Sequence, residues 1–490
     1  MFSKAQLFYT AGIAAAASVT NLVPSTVPTH AAVLDSTPIG VSFEFFMWPS
    51  YMTNISLVHP CLEHISRLYK KILPIRIGGT TQDRATYDPT FSGYVSYTTP
   101  DPLTAPTSLT YGRKFFDLIP RFGAETLLGF NRGDNNRSNT FEAVLAAKAR
   151  PNVMGNLWAI ELGNEPDLYL SYWHKPVAIP PWNESQEGAD AADWAQDFAN
   201  RWVSPLPILS GGAYAVPLQT PDWPNLRYLI TQAYNASVKA ATKVYCGHLY
   251  ALSNSTELSS EMNHNRTVAD LSYFTDYVSL AASLGREYII GETGFHGQDV
   301  EHDASFGGAI QILDKSLRAV SMGIKRLYFH QGTINQAYFN WWSSNQVEYP
   351  YYGGFMAALA LQGAEHVIAT DNGADSYAQY VIFRNGTPCK IVLINTDYYS
   401  GNGTRLNTSF TLTGLRNVNT VSAIRMTASS SEITASSAKL APSSGLSIGG
   451  QTFSDTSCKV KGEPVVENIK VKGGTATLTL AASEALIVYL

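Results

Sequence analysis

Eight short apolar runs, each followed by a loop and a helix-patterned stretch, limit the folds open to this chain. They are "GVSFEFF" (40–46), "LPIRIGG" (73–79), "ETLLGFN" (125–131), "NLWAIELGNE" (156–165), "PILSGGAY" (207–214), "VYCGHLYAL" (244–252), "EYIIGETGF" (287–295) and "IKRLYFHQG" (324–332). The stretches between them, such as "ISLVHPCLEHISRLYKKI" and "SFGGAIQILDKSLRAVSMG", repeat apolar residues at three- and four-residue intervals with charge on the other face, the period of an amphipathic helix. The runs are apolar throughout rather than alternating, which suits parallel strands covered on both faces. Eight such units predict an α/β fold, a (β/α)8 TIM barrel over 35–345. A doubly wound open sheet has the same alternation. The polar residues ending the runs favour the barrel, because a barrel gathers the C-terminal ends of its strands at one mouth.

After about Val347 the texture changes. A helical stretch remains near 353–362. Then come "AQYVIFRNG", "CKIVLINTD", "NTSFTLTGL", "TVSAIRMTA", "SCKVKGE", "VENIKVKGG", "TATLTLAAS" and "EALIVYL". They alternate or run β-branched between Gly, Ser, Asn and Pro, the pattern of an antiparallel β-sandwich. This second domain is expected over 346–490, joined by a strand from about 32–38. Two domains also suit 490 residues better than one core does.

Only 15% of residues are charged, the net charge is −5, and no basic run is present. That argues against nucleic acid and anionic membrane surfaces as partners. The start, "MFSK" followed by "LFYTAGIAAAASV", reads as a secretion leader over about 1–25, too short to span a bilayer. Its cleavage point falls between about Ala17 and Ala32. Asn-x-Ser/Thr sequons occur at Asn54, Asn136, Asn183, Asn235, Asn254, Asn265, Asn385, Asn402 and Asn407. Leader and sequons together predict a secreted, extracellular glycoprotein. The four cysteines, Cys61, Cys246, Cys389 and Cys458, fit no zinc or CxxC spacing. A disulfide between Cys389 and Cys458, both in the C-terminal region, is one expectation. Cys246 reads as a buried thiol within a strand.

The strand ends carry the chemistry. They bring Glu44, Arg76, Asn164 with Glu165, His248 with Tyr250, Glu292, and His330 with Gln331. Strands four and seven lie nearly opposite each other in an eight-strand barrel, so Glu165 and Glu292 can face across the mouth. Cleavage of a glycosidic bond needs such a pair: one carboxyl with a raised pKa to protonate the leaving oxygen, and one kept ionised.

"ELGNEP" (161–166) and "IIGETG" (289–294) resemble the acid/base and nucleophile motifs of clan A retaining glycosidases. With "GVSFEF" (40–45), "RIGG" (76–79) and the β-rich C-terminal domain, the chain more narrowly resembles glycoside hydrolase family 79, the β-glucuronidase and heparanase family. The resemblance spans about residues 35–490. It implies Glu165 as general acid/base and Glu292 as nucleophile. It implies substrate contacts from Glu44, Asn164, Tyr250, Gln331, Tyr338 and Gly297, with Arg76 as a supporting residue that keeps Glu292 ionised. Tyr338 and Gly297 would bind the sugar carboxylate, although the spacing there departs from the family's pattern.

Other residues have structural readings. Glu161 has the strand parity of Glu165 and reads as a buried partner for an arginine such as Arg76. His248 and His330 have no third ligand at metal spacing, so no metal and no cofactor are expected. His296 is either a substrate contact or a loop residue without a role. The aromatic stretch "YLSYWHKPVAIPPW" (169–182) is either an aglycone platform or a satellite cluster under a long loop. The expected activity is a retaining exo-β-glucuronidase. The alternatives are a clan A exo-glycosidase for a neutral sugar, such as a β-xylosidase or β-glucosidase, and an inactive carbohydrate-binding protein. The aglycone and the oligomeric state are not legible in the sequence.

Overall fold

The computed structural model describes residues 18–204, 206–215, 223, 226–251, 257–296, 300–336, 339–416, 418–440 and 445–490. Each of the eight apolar runs forms a strand: β1 (Ile39–Glu44), β2 (Ile75–Gly78), β3 (Thr126–Phe130), β4 (Leu157–Leu162), β5 (Leu209–Tyr214), β6 (Thr242–Leu249), β7 (Glu287–Thr293) and β8 (Leu327–Gln331). All neighbours pair in parallel, and the sheet closes on itself where Ile160 and Ser210 of adjacent strands find Leu209 and Glu161. The barrel's outward residues join the helices in one large core.

Its interior has two layers. At the N-terminal end Leu127, Ala159, Val244, Ile289 and Tyr328 make a small apolar plug. Further toward the C-terminal ends of the barrel strands come Arg76, Glu161, His248 and His330, all buried. The period of two places successive inward positions on one face, so the change from apolar to polar along a strand becomes a change with depth. On β7 the alternation is broken. Ile289 points inward, so Gly291 is next inward and Glu292 would turn toward the helices. The register slips at this point: Gly247 pairs with Ile290, but His248 pairs with Glu292. A matching slip separates Ile290 and Thr293 against β8. This bulge re-aims Glu292 into the barrel. Only glycine fits at 291, because a Cβ there would lie 2.4 Å from Cys246 Sγ.

The C-terminal region packs two sheets. The larger runs antiparallel through Thr420–Thr427, Glu484–Tyr489, Thr387–Asn395, Tyr377–Arg384 and His366–Ala369 to Ala32–Val33 at its edge. The smaller joins Asn407–Thr413 and Ala476–Ala481 with Ser18–Leu22. Residues Phe410, Leu412, Leu478 and Leu480 of the small sheet meet Val381, Phe383, Ile391 and Leu393 of the large one. The large sheet's other face, with Tyr380, Ile382, Val392 and Ile394, packs on the barrel's helices.

Residues Ser18–Leu22, inside the 1–25 leader reading, pair in register with Ser409–Thr413, so a leader cut near Ala17 would leave this strand in the sandwich and one cut near residue 25 would remove it. Residues 1–17 lie outside the described residues. One expectation is corrected. The disulfide joins Cys458 to Cys61, not to Cys389, which is a free thiol. Cys61 sits on helix Val58–Tyr69 of the barrel, so the bridge ties the two domains together across a separation of 397 residues.

A second tie is ionic. His264, on barrel helix His264–Ser272, bonds Asp314 of helix Phe306–Ser321 through Nδ1 (2.8 Å) and Asp371 of the sandwich through Nε2 (3.0 Å). Tyr380 donates to the second oxygen of Asp314 at 2.6 Å, and Gln379 N donates to the second oxygen of Asp371 at 2.9 Å.

Candidate active site

Glu165 sits one turn beyond β4 with φ of 50°, a left-handed conformation for a non-glycine residue. Such a backbone costs about 1–3 kcal/mol and persists only where its surroundings hold it. Here Glu165 N donates to Ala213 O at 2.9 Å, and Pro166 starts a short 3-10 turn whose Leu168 N bonds back to Glu165 O. The proline therefore stops the strand and points the glutamate over the mouth. Asp83 braces the same bend: one oxygen accepts from Asn164 N and Tyr169 OH, both at 2.7 Å, and the other from Arg132 N and Gly133 N.

Arg76 is the centre of the polar layer. Nε and Nη2 donate to Glu161 Oε1, Nη2 also to Asn164 Oδ1 (2.8 Å), and Nη1 to Ser42 Oγ (3.0 Å) and Glu292 Oε2 (2.7 Å). These bonds use all five guanidinium donors. The other oxygen of Glu292 accepts from Tyr250 OH at 2.9 Å. Glu44 accepts from Thr81 N and Oγ1 on one oxygen and meets His330 Nε2 at 3.1 Å on the other. Gly79, at φ of 85°, lets the chain pass Glu44, since a Cβ there would lie 2.5 Å from its carboxylate.

The two central carboxyls meet. One oxygen of Glu165, one oxygen of Glu292 and a ring nitrogen of His248 lie within 4.8 Å of one another. Their electrostatics diverge. Burial raises the Glu165 pKa, the Glu292 charge raises it further, and Arg76 and His330 oppose this only in part. Burial would raise Glu292 too, but the fields of His330, His248 and Arg76, with the Arg76 hydrogen bond, outweigh it and hold Glu292 ionised. Arg76 is the permanent charge among the three. His248 Nδ1 lies 3.1 Å from Glu165 Oε1, yet burial pushes the ring down to about 4, so near neutral pH it is an uncharged hydrogen-bonding group. His330 is raised instead, as Glu292 and Glu44 overcome its burial.

Glu165, Glu292, Glu44, Asn164, Tyr250 and Arg76 thus converge, and Glu161 is the bonded partner of Arg76. Asn164 Nδ2 is buried with no partner among the described residues, leaving a donor for a substrate hydroxyl. Gln331 is a correction. It is fully buried, and its amide accepts from Trp341 N at 2.7 Å and donates to Phe329 O at 3.3 Å. It tethers the loop after β8 rather than facing the sugar. Tyr338 and Gly297 lie outside the described residues. Their neighbour Phe339 packs on the rings of Tyr250 and His330, with centroids 5.1 and 5.6 Å away, and walls the mouth.

Three contributors were not identified from the sequence: Thr81, Phe339 and the bond from His248 to Glu165. Parity was the signal for His248, because Cys246 and His248 share one face of β6. In the 169–182 loop Tyr169 is buried on Asp83, and Trp182 Nε1 bonds Pro166 O at 2.8 Å. These aromatics brace the Glu165 bend. Tyr172 is the exposed ring of the group.

Known proteins resemble this chain in sequence and fold. Residues 379–487 match the family described as glycosyl hydrolase family 79 C-terminal beta domain. A β-glucuronidase of Aspergillus niger is 28% identical over 406 residues, covering 76% of this chain and 74% of that protein. A β-glucuronidase of Neurospora crassa is 27% identical over 410 residues, covering 74% and 72%. The crystal structure of a 4-O-α-L-rhamnosyl-β-D-glucuronidase from Fusarium oxysporum, in complex with Rha-GlcA, superposes with a TM-score of 0.88 at 35% identity. It covers 96% of this chain and 100% of that one. The α-L-arabinofuranosidase of Thermotoga maritima, at 12% identity and a TM-score of 0.58, shares the fold. With a barrel mouth holding an apposed glutamate pair and a relative this similar along nearly its whole length, the chain belongs to glycoside hydrolase family 79.

Proposed function

We propose that the protein is a retaining exo-β-glucuronidase that hydrolyses β-D-glucuronosides to glucuronic acid and an aglycone. The observation that carries this is the Glu165–Glu292 pair, whose oxygens approach within 4.8 Å and whose pKa values are pushed in opposite directions. Retaining enzymes hold their carboxyls about 5 Å apart; inverting ones leave a wider gap for water. In the first step a Glu292 oxygen attacks C1 as the glycosidic bond breaks, and the Glu165 proton passes to the departing oxygen. Esterification removes the Glu292 charge. That charge was one cause of the raised Glu165 pKa, so Glu165 becomes a better base at the moment one is needed. In the second step water attacks C1, gives its proton to Glu165, and releases Glu292 and the sugar with its β configuration kept. Asn164 Nδ2 is available to the 2-hydroxyl, a contact that strengthens as the oxocarbenium-like state forms.

A panel of aryl glycosides tests this. Glucuronide turnover far above that of glucoside and xyloside is expected, with the β anomer appearing first by proton NMR. The reverse ranking, or first release of the α anomer, would overturn the reading.

A narrower substrate class, β-glucuronosides capped with rhamnose at O4, is favoured by one observation. The rhamnosyl-glucuronidase relative is 35% identical over 96% of the chain, against 27–28% over about three quarters for the two β-glucuronidases. Faster release from a rhamnosyl-capped glucuronide than from the uncapped one is the result that supports it.

The protein is also read as secreted and glycosylated. Support comes from the inter-domain disulfide, a bond of oxidising compartments, and from the sequons. The eight sequon asparagines among the described residues are all exposed, and Asn136, Asn183 and Asn235 cap helices through Oδ1. Recovery of endoglycosidase-sensitive protein from the medium of a eukaryotic host tests this.

A further inference from the structure

Beneath the catalytic pair lies a second cluster that the mechanism does not use. A ring nitrogen of His248, Cys246 Sγ and a Glu161 carboxylate oxygen, all buried, lie within 4.8 Å of one another. His248 Nε2 and Glu161 Oε2 are each buried without a hydrogen-bond partner among the described residues. Two orphaned polar atoms on neighbouring buried side chains need explaining, since each unpaired buried group costs about 1–3 kcal/mol. Glu161 Oε1 is committed to Arg76, so only Oε2 is available to the ring.

We infer that Glu161 is a positioning residue which locks His248 in the tautomer bearing its proton on Nε2, so that Nδ1 presents a lone pair to Glu165. A water bridging Nε2–H to Glu161 Oε2 would couple the two side chains. A ring nitrogen's protonation is set by what the opposite nitrogen bonds. Nδ1 can then only accept from Glu165. It stabilises the protonated carboxyl and repels the ionised one, which favours the acid needed before glycosidic cleavage. The opposite tautomer would donate to Glu165 and favour its ionised form. The charged and titratable groups facing this ring are Glu165, Glu161, Cys246, Glu292, Arg76 and His330. Of these, Cys246 is kept a neutral thiol by burial.

The inference rests on Glu165 being the acid/base. Its test separates the two, because the tautomer is read without turnover, whereas the acid/base reading fails if Glu165→Gln keeps full activity. In protein labelled with 15N-histidine, the signal lost in His248→Asn should show Nε2 protonated and Nδ1 bare. A His248 protonated on Nδ1 overturns the proposal, and this measurement needs no variant of Glu161.

Glu161→Gln keeps a carbonyl for Arg76 but turns an amide donor toward Nε2, reversing the lock. The basic limb of kcat/KM should then move down by about one pH unit or more, with the acidic limb of Glu292 in place and kcat lowered more than KM is changed. Both limbs moving together would instead report altered Arg76 charge, and unmoved limbs would report no coupling; either overturns the inference. So would stoichiometric zinc in the purified protein that disappears in Cys246→Ser, because the three atoms would then be ligands. Glu161→Asp should restore the basic limb.

Discussion

Two buried histidines face carboxylates in this molecule and behave oppositely. At the domain junction His264 has both nitrogens on aspartates, and each aspartate has its remaining oxygen filled by Tyr380 OH or Gln379 N. Burial opposes its charge, but the two aspartates prevail and hold it up at about 10. At the mouth His248 is hydrogen-bonded to one carboxyl, Glu165, and burial holds it down at about 4. Full pairing fixes a charge and ties domains together. Incomplete pairing leaves titrating groups poised, and a reaction can use them.

The largest effect should come from breaking the poised pair. Glu165→Gln should lower turnover of a substrate with a poor leaving group by about 10³-fold or more, within the range of general acid–base catalysis. The loss should be smaller with an activated aryl leaving group that needs no proton. Glu165's folded pKa lies above its unfolded value, so its ionisation costs stability as pH rises above the usual carboxyl range. The same variant should therefore melt no lower than the wild type at pH 7, which calorimetry checks.

At the junction the outcome should reverse. His264→Ala leaves two buried aspartates without their cation and should destabilise the fold by about 3–5 kcal/mol, with activity per folded molecule retained. The sign with pH follows. A raised histidine contributes fully below its unfolded value of about 6.5, and the contribution is lost as pH rises toward about 10. Denaturant midpoints of wild type and variant should thus converge between those values and stay apart in acid.

The covalent tie comes next. Cys458→Ser should cost about 2–4 kcal/mol, and Cys389→Ser almost nothing, as thermal melts would show. Gln331→Ala, which frees Trp341 N, should cost about 1–3 kcal/mol with little change in KM. A large rise in KM alone would return Gln331 to the substrate.

The barrel was legible because its evidence is local. Apolar runs of strand length alternating with 3.6-period stretches leave few folds, and a closed barrel gathers strand ends wherever they lie in the chain. The acid and nucleophile were legible for that reason and through their flanking motifs. The sandwich strand at Ser18–Leu22 was hidden in a segment whose small apolar residues also describe a leader.

What the sequence by itself determined was which residues stand at the ends of which strands. Only the tertiary structure decided which way they point and what they touch. Alternation along β7 would turn Glu292 away from the mouth, and a bulge at Gly291, packed against Cys246, turns it inward. The pairing of Cys61 with Cys458, the tethering of Gln331 and the bond from His248 to Glu165 are likewise contacts between segments far apart in the chain. No local pattern encodes them, because the free energy that selects them arises only when the barrel has closed and its second domain has docked.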